Sequence, residues 1–137
     1  MYHCFRLKRG DDLYESIQAY ADAHHIAAGA VLSGVGCVYR WEVRDASGVE
    51  VQSGTEDAEI VSLMGTVSEN GSHLHVSFAR RDLSVFGGHL RPGCLVNTTA
   101  EIVLAELPEV RFARAPDGET GYDELTIEKV DKSLSMI

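Results

Sequence analysis

The spacing of apolar positions along this chain follows a helical period once and a strand period almost everywhere else. Residues 2–8 alternate loosely through Tyr2, Cys4, Phe5 and Leu7 and predict a first strand that ends at Gly10. Asp11 or Asp12 then caps a helix by accepting hydrogen bonds from its free backbone N–H groups. Leu13, Ile17 and Ala21 recur at intervals of four, with Tyr20 and His24 as i+3 neighbours, which gives one apolar stripe on a helix of about four turns. His24 and His25 fall near its C-terminus, where positive charge is favoured, so a helix-end role accounts for both.

From there on the pattern is that of strands. Residues 30–39 form a β-rich run interrupted by Gly34 and Gly36, which points to a bulge or a close backbone approach. Residues 41–44 continue it, Asp45-Ala46-Ser47-Gly48 is a turn, and Val49-Glu50-Val51 is a short return strand. The acidic pair Glu56/Asp57 reads as a solvated turn, followed by a stronger strand at 59–67. Glu69-Asn70-Gly71-Ser72 breaks the chain with Asn-Gly, the strongest short turn signal. Strands follow at 73–79 and 85–90, separated by a turn at 81–84, and the second ends near Pro92-Gly93. Residues 95–104 are rich in Val, Thr and Ile and favour a strand over a helix. A polar stretch at 114–124 carries the turn Pro116-Asp117-Gly118, a last strand covers 125–130, and the tail beyond is expected to fray. Eight or nine strands with one substantial helix predict an α+β class: a single compact domain, 1–137, with a mixed, antiparallel-rich sheet and one main helix packed on it.

Composition narrows the function. A chain of 137 residues with 45% apolar and 24% charged residues can bury an ordinary core without disulfides or metal. Cys4, Cys37 and Cys94 are odd in number and far apart, so a disulfide framework is not expected; each lies in an apolar stretch and reads as a small buried hydrophobe. No apolar run approaches the ~20 residues that span a bilayer, and the first residues lack the apolar core of a signal peptide, so a cytoplasmic location is expected. The net charge of −9 sets up a field that repels nucleic acid. Two basic groups, Arg6/Lys8/Arg9 and Arg80/Arg81/Arg91, carry no interleaved aromatics and no groove-binding motif. Phosphate-binding loops, a dinucleotide loop and a Gly-x-Ser-x-Gly nucleophile motif are all absent.

Histidine carries the chemistry. Residues two apart on a strand share a face, so His73 and His75 project side by side, with roughly 7 Å between their Cα atoms. His89 follows Gly87-Gly88, where the lack of side-chain bulk lets backbones approach, and is the natural third ligand if the chain folds back. Three imidazoles with a fourth position open resemble the ligand set of a catalytic zinc site. Glu101 and Glu59 are the candidates for a carboxylate that orients a ligand histidine or serves as a fourth ligand, and spacing does not choose between them. Neutral imidazole also suits Cu, Ni and Fe, with zinc the first choice.

Several segments taken in order resemble the PPC domains, the plant-and-prokaryote domain family related to the domain of plant AT-hook proteins. Glu59-Ile60-Val61-Ser62-Leu63-Met64-Gly65 resembles its Glu-Ile-x-Ser-Leu-x-Gly strand, His73-Leu74-His75 its His-x-His strand, and Gly87-Gly88-His89-Leu90 its Gly-Gly-His-Leu segment. Thr99-Ala100-Glu101-Ile102 and Gly121-Tyr122-Asp123-Glu124-Leu125 are similar to the bacterial and archaeal branch, and the likeness covers about residues 2–131. The resemblance implies a homotrimer of single α/β domains whose histidine cluster, here His73, His75 and His89, holds a divalent metal, often taken as zinc. It also brings a DNA-binding label. In the plant branch, however, DNA contact comes from Arg-Gly-Arg-Pro segments, and this chain has none. The expectation is therefore a small trimeric metal-binding protein, with a DNA-binding regulator and a metal-dependent hydrolase as the alternatives.

Overall fold

A computed structural model describes residues 1–131; the expected frayed tail lies outside the described residues. The chain runs β1 (Tyr2–Lys8), α1 (Leu13–Ala23), β2 (Gly29–Arg44), β3 (Val51–Val67), β4 (His73–Ala79), β5 (Val85–Leu90), β6 (Leu95–Glu106), β7 (Val110–Pro116) and β8 (Asp123–Lys129). The first six strands form one antiparallel sheet in the order β1-β6-β2-β3-β4-β5, and β7 and β8 pair as a separate hairpin. None of the described helices is long and apolar enough to cross a membrane.

The α+β expectation is overturned. Strand accounts for 61% and helix for 8%, so the fold is β-rich and α1 is one short helix, not a main layer. The reason lies in how the sheet covers itself. The end of β2 pairs not only with β3 but also with β5, through Val43 opposite Leu90 and Arg44 opposite His89. The ladders β2-β3-β4-β5 therefore close into a ring. Inward residues of one strand meet inward residues of the next, as in a small barrel, so the strands supply most of the core. Leu74, Val76 and Phe78 of β4 join Val31, Val38 and Trp41 of β2 and Ile60 and Leu63 of β3 in this core.

The helix adds one apolar stripe to this core. Its N-cap is Asp12, whose carboxylate accepts from the Glu15 N–H at 2.9 Å. Leu13, Ile17 and Ala21 are fully buried, as their spacing predicts. His24 is the C-cap, with Nδ1 3.0 Å from the Tyr20 carbonyl, so it serves the helix end.

Three expectations need correction. Residues 51–67 form one continuous strand, so Glu56 and Asp57 do not sit in a turn. Glu56 accepts from Trp41 Nε1 at 3.1 Å and from Arg80 Nε at 3.0 Å, which ties the segment into the ladder. A further strand, β7, precedes the polar turn; it docks through buried Phe112, whose N–H donates to the Ala27 carbonyl at 2.9 Å. Of the three cysteines only Cys94 is buried; Cys37 is intermediate and Cys4 exposed. The expected irregularity near Gly34 and Gly36 is present as register shifts between β2 and β6, one of them between Gly36 and Cys37.

Candidate metal centre

β4 alternates strictly over its first half. Leu74 and Val76 point into the core, which puts His73 and His75 on the outer face. β5 returns antiparallel beside it and sets His89 directly opposite His75. The two glycines before His89 make this approach feasible. A Cβ on Gly87 would lie 2.2 Å from the Val76 carbonyl oxygen, and one on Gly88 would lie 2.5 Å from that of Arg44. Any side chain at either position would push β5 away from β4 on one side or from β2 on the other.

The three rings consequently converge. One nitrogen from each of His73, His75 and His89 lies within 4.8 Å of the others. His73 Nε2 and His75 Nε2 are 3.2 Å apart. Tetrahedral coordination at a metal–nitrogen distance near 2.0–2.1 Å separates ligand nitrogens by about 3.4 Å, so small ring rotations bring this trio to ligating geometry. His89 Nδ1 is buried without a hydrogen-bond partner, an orphaned polar atom of the kind a ligand relieves.

At His73 and His89 the electrostatics favour the neutral ring that ligation requires. Burial pushes the His89 imidazole down to about 4, reinforced first by the Arg44 guanidinium and then by the other two histidines. His73 is lowered by burial, then by His75, Arg114 and Arg44, with Glu124 acting in the opposite sense.

Neither candidate carboxylate joins the trio within one chain. Glu59 stands opposite Ala79 on β3, four residues along β4 from His75, which is about 13 Å at strand rise. Glu101 lies on β6 between Arg6 and Val35, separated from β4 by β2 and β3. The surroundings that the sequence does not signal are Arg44, Ser72 and Arg114. They line, with His73 and His89, a pocket of about 340 Å³ whose far wall is the β7–β8 hairpin. Only the strand pairing of Arg44 with His89 reveals the first of them, and no local motif does.

The fold and the site define a β-rich domain with three outward histidines that could hold a metal ion. The model of the Plants and Prokaryotes Conserved (PCC) domain matches residues 1–108, and the chain belongs to that family. A hypothetical protein from Salmonella cholerae-suis (Salmonella enterica) has a similar structure, with a TM-score of 0.91, 32% identity and 94% of each chain covered. A metal-containing protein from Archaeoglobus fulgidus aligns with a TM-score of 0.75 at 28% identity, over 92% of this chain and 93% of that one. In sequence, 125 residues are 46% identical to part of the bifunctional protein GlmU from Synechococcus sp. (strain JA-3-3Ab), covering 91% of this chain and 20% of that protein. The chain thus spans about a fifth of the length of the curated relative.

Proposed function

We propose that this protein holds one divalent metal ion, zinc in the first instance, through His73, His75 and His89, and that it acts as a homotrimer in the cytoplasm. The observation that carries the metal reading is the convergence of three ring nitrogens within 4.8 Å on two paired strands. Three neutral imidazoles are a donor set that zinc accepts, and the similar fold of a metal-containing archaeal protein supports the same reading. When bound, such an ion supplies Lewis acidity at a position the three histidines leave open. Assembly is supported by apolar side chains on the outward face of the central strands, since Leu32 and Val35 on β2 and Val61 and Met64 on β3 are all exposed in the single chain.

Binding to DNA has less support. Arg80 is paired with Glu56 and lies 4.0 Å above the Phe86 ring, and Arg91 faces Glu42 at 3.5 Å. These guanidiniums already have partners within the fold. The match to part of a longer bifunctional protein supports a role as a module that can be joined to other units.

Elemental analysis of purified protein, with His73→Ala, His75→Ala and His89→Ala alongside, tests the metal reading. Wild type retains about one equivalent of metal per chain, and each variant loses most of it while keeping its β-type circular dichroism. Equal metal content in all four proteins would end the proposal. Sedimentation equilibrium tests the assembly, and a monomer at all concentrations refutes the trimer.

A further inference from the structure

The walls of the pocket beside the histidines carry more unsatisfied polarity than any other part of the described molecule. Six buried side-chain atoms lack a hydrogen-bond partner among the described residues, and three belong to residues lining this one pocket: His89 Nδ1, which the metal reading already takes up, and Arg44 Nε and Ser72 Oγ, which it leaves without a partner. Leaving a buried donor without a partner is costly, and more so when it is charged. A fold tolerates a cluster of them where a ligand supplies the missing acceptor.

The arginines point the same way. Arg40, Arg80 and Arg91 each have a carboxylate within 3.5 Å. Arg44 and Arg114, both on the pocket wall, have no ion pair among the described residues. Arg114 makes one neutral bond, from Nη2 to Thr66 Oγ1 at 3.2 Å, which anchors one end of its guanidinium and leaves its other N–H groups for a ligand. Two such guanidiniums share the pocket with Asp123 and Glu124, so its lining is balanced in formal charge and offers donors on one side and acceptors on the other. The chain's net charge of −9 disfavours a polyanion, whereas a small ligand with one anionic group can meet the guanidiniums. A pocket of about 340 Å³ is also at the small end of ligand sites.

We infer that Arg44, Arg114 and Ser72 form an oxyanion pocket next to the histidine cluster, which takes a small molecule bearing a carboxylate or a phosphate group. The guanidinium fork offers paired donors that match either group, and Ser72 adds a hydroxyl donor. Asp123 and Glu124 stand on the same pocket's hairpin wall and accept hydrogen bonds only. They suit hydroxyl or amine groups on the remainder of the ligand, so a hydroxylated or amino-bearing acid or phosphate ester fits better than a bare hydrocarbon acid. This inference rests on the metal reading, since the histidines form the adjoining wall.

The test is calorimetric titration of the metal-loaded protein with inorganic phosphate and, separately, with acetate, at low ionic strength. Metal content is measured on every sample. Arg44→Gln and Arg114→Gln are compared with Arg91→Gln, whose side chain is not part of the pocket lining and lies 3.5 Å from Glu42. Binding of at least one anion by wild type is expected. Each pocket variant should weaken it by about 10-fold or more, while Arg91→Gln leaves it unchanged and metal content stays constant in all. Phosphate alone binding assigns a phosphate ester; acetate binding as well assigns the broader carboxylate class. Metal-loaded wild type that binds neither anion overturns this inference and leaves the metal reading standing. An equal loss in Arg91→Gln also overturns it, because the effect would then be general charge. Wild type without metal overturns the metal reading together with the inference built on it.

Discussion

Replacing Gly87 by alanine puts a single methyl group where the structure has no room for it. The added Cβ would lie 2.2 Å from the Val76 carbonyl oxygen and 2.9 Å from the Ser77 Cα, both backbone atoms that no rotamer change can move. Real Cβ contacts stay above 3.0 Å, so β5 must retreat from β4 by ~1 Å. An N–H···O bond near 2.9 Å does not survive that stretch. Losing one or two ladder bonds at about 0.5–1.5 kcal/mol each, with an overpacking cost of about 1–3 kcal/mol, gives a destabilisation of about 2–4 kcal/mol. The same displacement acts on His89, two residues further on and opposite His75. A metal–nitrogen bond of about 2.0–2.1 Å has no tolerance for ~1 Å, so under the proposed metal reading an ion would keep two good ligands instead of three. Urea denaturation of the metal-free protein should show a midpoint lowered by about 1–2 M with unchanged slope. Competition with a chromophoric chelator should show zinc affinity down by at least about 10-fold. Gly118→Ala is the matched control, because a Cβ there meets nothing within 4 Å. If Gly87→Ala keeps both the midpoint and the zinc affinity of wild type, the close β4–β5 approach does not hold the site together.

The remaining predictions concern titration and thiol chemistry. In the metal-free protein the His89 ring is held at about 4 against an ordinary 6.5, mainly by burial. Below 6.5 the unfolded chain therefore takes up a proton that the folded chain refuses, and stability falls as the pH drops from about 6.5 towards 4. Urea midpoints at pH 7 and pH 4.5 should show this loss, and His89→Gln should shallow it; identical pH profiles would refute the assignment. Burial raises the Cys94 thiol to about 11, whereas Cys4 is exposed. A brief native alkylation at pH 8, read by peptide mass spectrometry, should modify Cys4 and spare Cys94; equal labelling of the two would contradict the burial of Cys94.

The histidine cluster was legible because strand alternation is a local rule. Once Leu74, Val76 and Phe78 are taken as the inward set, His73 and His75 have one direction left, and the Gly-Gly pair signals the close return that brings His89 opposite. Helix α1 was legible for the same reason, since Leu13, Ile17 and Ala21 share one face. The β-rich class was harder to read, because ring closure depends on Val43 and Arg44 meeting Leu90 and His89 across about 45 residues of chain, which no window of sequence displays. The continuity of β3 was hidden by Gly54 and the acidic pair after it. Gly54 marks a close packing contact and not a turn: it faces Trp41, and a Cβ there would sit 2.7 Å from the indole. Glu59 and Glu101 show where the local rule stops. Both lie in segments that resemble the family, yet register carries them away from the histidines within the chain.

The hairpin that forms the far wall of the pocket has a consequence of its own. The three histidines, Arg44 and Ser72 all lie within residues 1–108, the stretch matched by the family model, whereas Arg114, Asp123 and Glu124 come from β7 and β8 beyond it. The hairpin is a separate two-stranded sheet, fastened to the body through Phe112 and Arg114, so its sequence can change without disturbing the ladders that align the rings. Relatives with the same trio and different hairpins would then hold the same ion and admit different guests. Exchanging that one appendage between them would transfer selectivity as a cassette, with the centre itself left intact.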